Sequence, residues 1–238
     1  MAVFILGAAS WALRASHAGD LAVELWLVVR GLGEVLFIAT LLWLFYLALE
    51  PYVRRLWPQA LISWARVLGG QLRDPLVGRD VLVGIAWGGV LATGLTLHAA
   101  LVHIQGRPGP PVELGDLRAL LDLRFAFGGV LGIAVQSLAT GMGCVLLFLL
   151  LKLLLRRDLL AALAVALLII GLERLAYPAG SFWIDTGMTL VTWGSLFLLL
   201  RRFGLLALVA GFFFSNLLRH LPLTLDLTAW ASGPTTCT

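Results

Sequence analysis

The chain has one lysine, Lys152, and two cysteines, Cys144 and Cys237, in 238 residues. Charged residues make up 13% of it, against about 25% in a soluble domain. Each shortage excludes something. Without a CxxC pair or a cysteine framework, neither a disulfide scaffold nor a zinc site is indicated. With a single lysine there is no lysine-rich tail. The net charge of +4 and the pI near 9.7 therefore come from arginines set between apolar runs, a topology signal and not a nucleic-acid site. GxxxxGK[ST] and HExxH are both absent, and Gly31-Leu32-Gly33 lacks the third glycine of a dinucleotide loop. Met1–Leu13 has neither a basic n-region nor a small-residue cleavage site, so it does not read as a signal peptide.

What is abundant is hydrocarbon. Hydrophobic residues are 61% of the chain and the mean hydropathy is +0.98. At about 20 residues per crossing, the length allows five or six membrane spans plus loops. The expected fold is an all-α polytopic integral membrane helix bundle, one domain over 1–238, with residues 1–13 as a partial or interfacial first helix. The expected spans are Leu21–Leu49, Val81–Ile104, Phe125–Leu151, Leu159–Leu172, Thr186–Leu200 and Phe203–Leu218. A short surface helix is expected at Leu114–Leu121, and a salt bridge in the loop at Glu173-Arg174. Gly84/Gly88, Gly128/Gly132, Ala139/Gly143 and Ala207/Gly211 are small-xxx-small pairs, which let helix backbones approach closely.

Residues 50–80 differ from everything around them. Pro51 and Pro58 are expected to break the first span, with Pro58 opening a new helix. Gln59, Ser63, Arg66, Gly70 and Arg73 recur at helical spacing on one stripe, with Leu61, Trp64, Ala65, Leu68 and Leu72 opposite. That pattern predicts an amphipathic interfacial helix over about 58–72, within an elbow at 51–79. Asp74-Pro75 reads as a turn and Asp80 as the N-cap of the next span.

Charge sorts by side. Loops at 50–80, 152–158 and 201–202 carry five, three and two Lys/Arg residues, whereas the alternate loops carry Arg107, Arg118, Arg124, Arg174 and Arg219. The positive-inside rule puts the elbow in the cytoplasm, and residues 14–20 and the C-terminus outside.

Candidate chemistry is sparse. Gly78-Arg79-Asp80 lacks the preceding His of a kinase catalytic loop, and Ile85 stands where its metal-binding Asn belongs. His98 and His220, if they face each other, could ligate a haem, or either could hold a pigment's magnesium. His103, about 140° around the helix from His98, cannot join it. The plainer expectation is that His98 hydrogen-bonds a neighbouring helix. Gln136, Ser137 and Thr140 line either a polar path or a helix–helix contact. A transporter or an intramembrane enzyme is a further alternative, but neither an inverted repeat nor a catalytic cluster is visible.

Leu42–Gly84 and Arg202–Trp230 together resemble the C-terminal polytopic membrane region of bacterial serine/threonine protein kinases of the acidobacterial type. With the apolar runs between them, the resemblance spans nearly the whole chain. It implies a membrane domain without assigned chemistry. Since residues matching the kinase domain are absent here, kinase activity does not carry over. The chain is either a stand-alone relative or a piece of a longer protein. The resulting expectation is a non-catalytic scaffold, sensor or accessory subunit with no required cofactor. Its elbow arginines Arg54, Arg55, Arg66, Arg73 and Arg79 would contact anionic headgroups, membrane subunits or a cytoplasmic partner. The alternative is a haem- or chlorophyll-associated subunit of a respiratory or photosynthetic complex.

Overall fold

The computed structural model describes residues 2–15, 19–57, 61–105, 122–176 and 182–220. They form seven helices: α1 (Ala2–Arg14), α2 (Leu21–Leu56), α3 (Ile62–Leu68), α4 (Pro75–Ile104), α5 (Leu123–Leu155), α6 (Asp158–Ala176) and α7 (Phe182–His220). Among the described residues there is no strand, and five of the helices are long and apolar enough to cross a membrane. The chain is an integral membrane helix bundle. Large apolar side chains on its outside, such as Val29, Phe37 and Trp43 on α2, are exposed to the surroundings as lipid contact requires.

The caps explain where the long helices begin. Asp20 accepts from the Ala22 N–H at 2.8 Å and starts α2. Asp122 does the same for α5 through the Arg124 N–H at 3.2 Å. α4 starts six residues earlier than expected. Asp74 caps it by accepting from the Leu76 N–H at 2.8 Å, and Pro75 takes the first helical position. Asp80 is therefore not a cap. It lies in the second turn and is buried.

Pro51 does not break α2, which continues to Leu56. Val53, wholly buried in the core, and the Lys152 ammonium 4.4 Å from the centre of the Trp57 ring hold the turn beyond the proline. The amphipathic helix of the elbow is shorter than its periodicity predicts. α3 stops at Leu68 because Gly69-Gly70 follows, with Gly70 at φ 78. Pro58 and Gln59 lie outside the described residues, as do the helix expected at Leu114–Leu121 and most of the loops counted on the far side.

α7 is one helix only by hydrogen-bond pattern. Gly204 sits at φ 84, ψ −167, a conformation available to glycine alone, and the chain reverses there. α4 reads out the reversal. Trp87 Nε1 bonds to Ser195 Oγ at 3.1 Å, while the same indole packs edge-on against Phe212, ring centres 5.7 Å apart. A straight helix would put residues 195 and 212 about 25 Å from each other. The first limb thus runs antiparallel to α4 and the second parallel to it.

The parallel limb packs very closely. A Cβ on Gly84 would stand 2.3 Å from the Ala207 carbonyl oxygen, and one on Gly88 would stand 2.3 Å from that of Gly211. Two of the small-xxx-small pairs are therefore partners of each other. The pair Gly128/Gly132 receives α1, whose Ser10 hydroxyl donates to the Gly128 carbonyl at 2.8 Å. α1 is a half-length helix that runs antiparallel to α2, Gly7 opposite Val35 and Trp11 opposite Gly31.

The core joins α2, α5, α6 and α7 around Phe148, Val165, Leu196, Leu200 and Leu208. The ends of the bundle form two faces. One carries the elbow, the α5–α6 turn and the Gly204 reversal. Lys152 over Trp57 and the Arg79 guanidinium 5.5 Å from the centre of the Phe203 ring bring these three together. The three Arg-rich stretches counted separately along the sequence therefore share one face.

Candidate functional site

The elbow face is built around inward-turned acids. Asp80, 2% exposed, receives the Ser63 hydroxyl from α3. Its Oδ1 also accepts from Arg79 Nη2 at 2.8 Å and Nε at 3.0 Å. Asp74 pairs with Arg66 Nη1 at 2.5 Å, and Asp158 with Lys152 Nζ at 2.8 Å. A buried carboxylate without such donors would cost several kcal/mol, and the Ser63–Asp80 and Arg66–Asp74 contacts fix α3 against the start of α4. Ser63 and Arg66, which periodicity puts on a solvated stripe, are half of that clasp. Ser63 is buried.

The outcome is a face with charge of one sign. Arg55, Arg73, Arg79, Arg156, Arg157, Arg201 and Arg202 are exposed, whereas Glu50, Asp74, Asp80 and Asp158 are all partly or fully buried. Among the described residues of this face, seven arginines and no acid are exposed. Arg54 belongs to α2, and its side chain lies outside what is described. Ile62, Leu68 and Leu72 are exposed apolar side chains of the same elbow. Cations beside exposed aliphatics suit the boundary between headgroups and acyl chains.

The opposite end carries a second polar cluster, which joins three helices. His98 Nε2 on α4 lies 2.9 Å from Asp185 Oδ1 on α7, and Arg174 Nη2 on α6 lies 3.4 Å from Asp185 Oδ2. Thr189 Oγ1 lies 2.5 Å from Glu173 Oε2, and Arg174 also donates to the Phe182 carbonyl at 3.1 Å. Glu173 and Arg174 therefore do not bridge each other within the loop. Each reaches across to α7. Asp185 and Thr189 are the partners that sequence reading missed. A carboxylate one turn before a threonine on an otherwise apolar helix is the signal that marks them.

His98 and His220 belong to different surroundings. His98 spends Nε2 on Asp185, whereas His220 lines a cavity of about 660 Å³ together with Gln136, Thr140, Thr192 and Asn216. His98 does not line that cavity. Ser137 is buried and accepts from Asn216 Nδ2 at 3.5 Å, a helix–helix contact, while Gln136 and Thr140 face the cavity. On α2, Arg30 lies 5.3 Å from the centre of the Trp26 ring. Among the described residues no three His, Cys, Asp or Glu side chains gather as a metal-binding group.

No family model, curated protein or solved structure matches the chain.

Proposed function

We propose that the chain is a non-catalytic membrane scaffold whose elbow face lies in the cytoplasm and seats on the anionic headgroups of a bacterial inner membrane. The observation that carries this reading is the sign of that face: seven exposed arginines, with every neighbouring acid among the described residues partly or fully buried. Each cation held at an anionic surface contributes about 1 kcal/mol, and the contribution falls off within a Debye length of about 8–10 Å. Exposed Ile62, Leu68 and Leu72 support it from the apolar side. The rigid attachment of α3 through Asp80 and Asp74 suits a surface that presents charge, and the likeness to kinase membrane regions suits a module that serves a partner domain.

The test is lipid selectivity. Spin-labelled phosphatidylglycerol should be enriched over phosphatidylcholine around the reconstituted protein. Arg55→Gln/Arg73→Gln/Arg156→Gln should remove most of that enrichment, as should 0.5 M salt. Equal association of both lipids with the wild-type protein would sink the reading.

A further inference from the structure

Where α4 passes the first limb of α7, the helices leave an open groove of about 820 Å³. Its walls are Val83 and Val90 on α4 and Leu198 on α7, with Val90 72% and Leu198 65% exposed. Its floor is Trp87, whose indole N–H is satisfied by Ser195, and Ser195 in turn donates to the Thr192 carbonyl at 2.9 Å. The groove therefore has apolar walls and no floor group in need of a partner. It follows α4 from Val83 to Val90, about 10 Å, running from the elbow face toward the bilayer midplane.

The elbow end of the groove is different. Arg201 and Arg202 line it there, both exposed, and neither pairs with a carboxylate among the described residues. Phe203, also in the lining, lies beneath the Arg79 guanidinium. Arginines that only fix topology need a helix end and nothing more. Arg201 and Arg202 instead stand at the mouth of an aliphatic channel, two cationic residues in one lining.

We propose that this groove is a specific site for one anionic glycerophospholipid. One acyl chain lies along Val83, Val90 and Leu198, and the phosphate sits between Arg201 and Arg202. Guanidinium forks match phosphate oxygens bidentately, which favours phosphate over a diffuse cloud of counterions. A zwitterionic lipid would bring its own ammonium up to the same rim, so the site selects net negative headgroups. The inference rests on the reading that the elbow face meets anionic lipid, and it adds a defined stoichiometry and location.

Native mass spectrometry of delipidated protein, titrated with dioleoyl phosphatidylglycerol or dioleoyl phosphatidylcholine, tests it. The wild-type protein should hold one phosphatidylglycerol well beyond the affinity of further copies, and well beyond phosphatidylcholine. Arg201→Gln/Arg202→Gln should weaken that first binding about 25-fold, roughly five-fold per arginine at about 1 kcal/mol each. Ala86→Trp, which fills the groove and leaves the arginines intact, should weaken both lipids. Leu198→Trp does the same from the opposite wall, with helix content checked by circular dichroism for each variant. Arg55→Gln/Arg73→Gln should leave the single site untouched while lowering general enrichment. Phosphatidylglycerol binding that ignores both tryptophans, or equal affinity for the two lipids, overturns the site. So does a stable dimer that buries Val90 and Leu198. A retained single lipid without general enrichment would instead overturn the surface reading and leave the groove standing.

Discussion

Gly88 and Gly211 meet so closely that a Cβ on Gly88 would stand 2.3 Å from the Gly211 carbonyl oxygen. One turn earlier Gly84 does the same with Ala207, so two backbones lie in register without intervening side chains. Lipid is as apolar as leucine, so burying leucines gives membrane helices no reason to associate. Close backbone approach and the dispersion it permits supply one. This seam ties α4, and with it the elbow, to the second limb of α7.

Replacing Gly88 with alanine should therefore force the helices apart. The obstacle is backbone and not a movable side-chain tip, so a loss of about 1–3 kcal/mol is expected. Gly143→Ala, with nothing within 4 Å of its added carbon, should be close to neutral. Thermal unfolding of both variants in the same detergent decides it. Equal melting temperatures would mean that the seam contributes nothing to stability.

Gly204 offers an independent test of the reversal. Its φ of 84 with ψ −167 is closed to residues with a Cβ, so Gly204→Ala should cost about 1–3 kcal/mol through strain alone. The measurement is unfolding beside Gly194→Ala, which lies in the same helix with open space around it. A Gly204→Ala protein as stable as that control would show that the chain turns elsewhere.

How much of this was legible beforehand depends on the kind of signal. Hydropathy located every long helix among the described residues, and Arg201-Arg202 separated the last two apolar runs within three residues of the turn at Gly204. Runs of leucine and valine carry that information redundantly. Single-residue signals fared worse. Asp74 and Asp80 are equally good caps by identity, and only the fold of the elbow decides that Asp74 caps while Asp80 is buried against Ser63. Pro51 looked like a stop, yet tertiary packing of Val53 carried the helix past it. The His98–Asp185 contact spans 87 residues, a separation at which no local pattern speaks.

That contact predicts a measurable coupling. Removing either His98 or Asp185 should weaken the joint between α4 and α7, and removing both should cost less than the sum. Interhelical polar pairs in membranes average about 0.6 kcal/mol, with a maximum of about 1.7 kcal/mol. A double-mutant cycle with His98→Ala and Asp185→Ala should give a coupling energy in that range. Arg174 and Thr189 stay in place throughout, so the cycle isolates one pair. Strict additivity would show that proximity here carries no energy.

The clasp at Asp80 makes the sharpest structural prediction, since one buried carboxylate holds two elements. Asp80→Asn keeps the shape and can still bond Ser63, but it loses the charge that faces Arg79. Asp80→Ala loses both and leaves a buried hydroxyl unsatisfied, at about 1–3 kcal/mol. Ser63→Ala removes only the hydroxyl, so Asp80 keeps its Arg79 contacts. Only the Ser63 bond crosses from α4 to α3, so the elbow should loosen most in Asp80→Ala, less in Ser63→Ala and least in Asp80→Asn. Trypsin reads this directly, because Arg66 and Arg73 are cleavage sites that the folded elbow restrains. A loss of 1.4 kcal/mol opens them about ten-fold more often. Cleavage rates in that order, with the transmembrane helices intact, are the expected result. Identical rates in all three variants and the wild-type protein would mean that α3 is held by something other than Asp80.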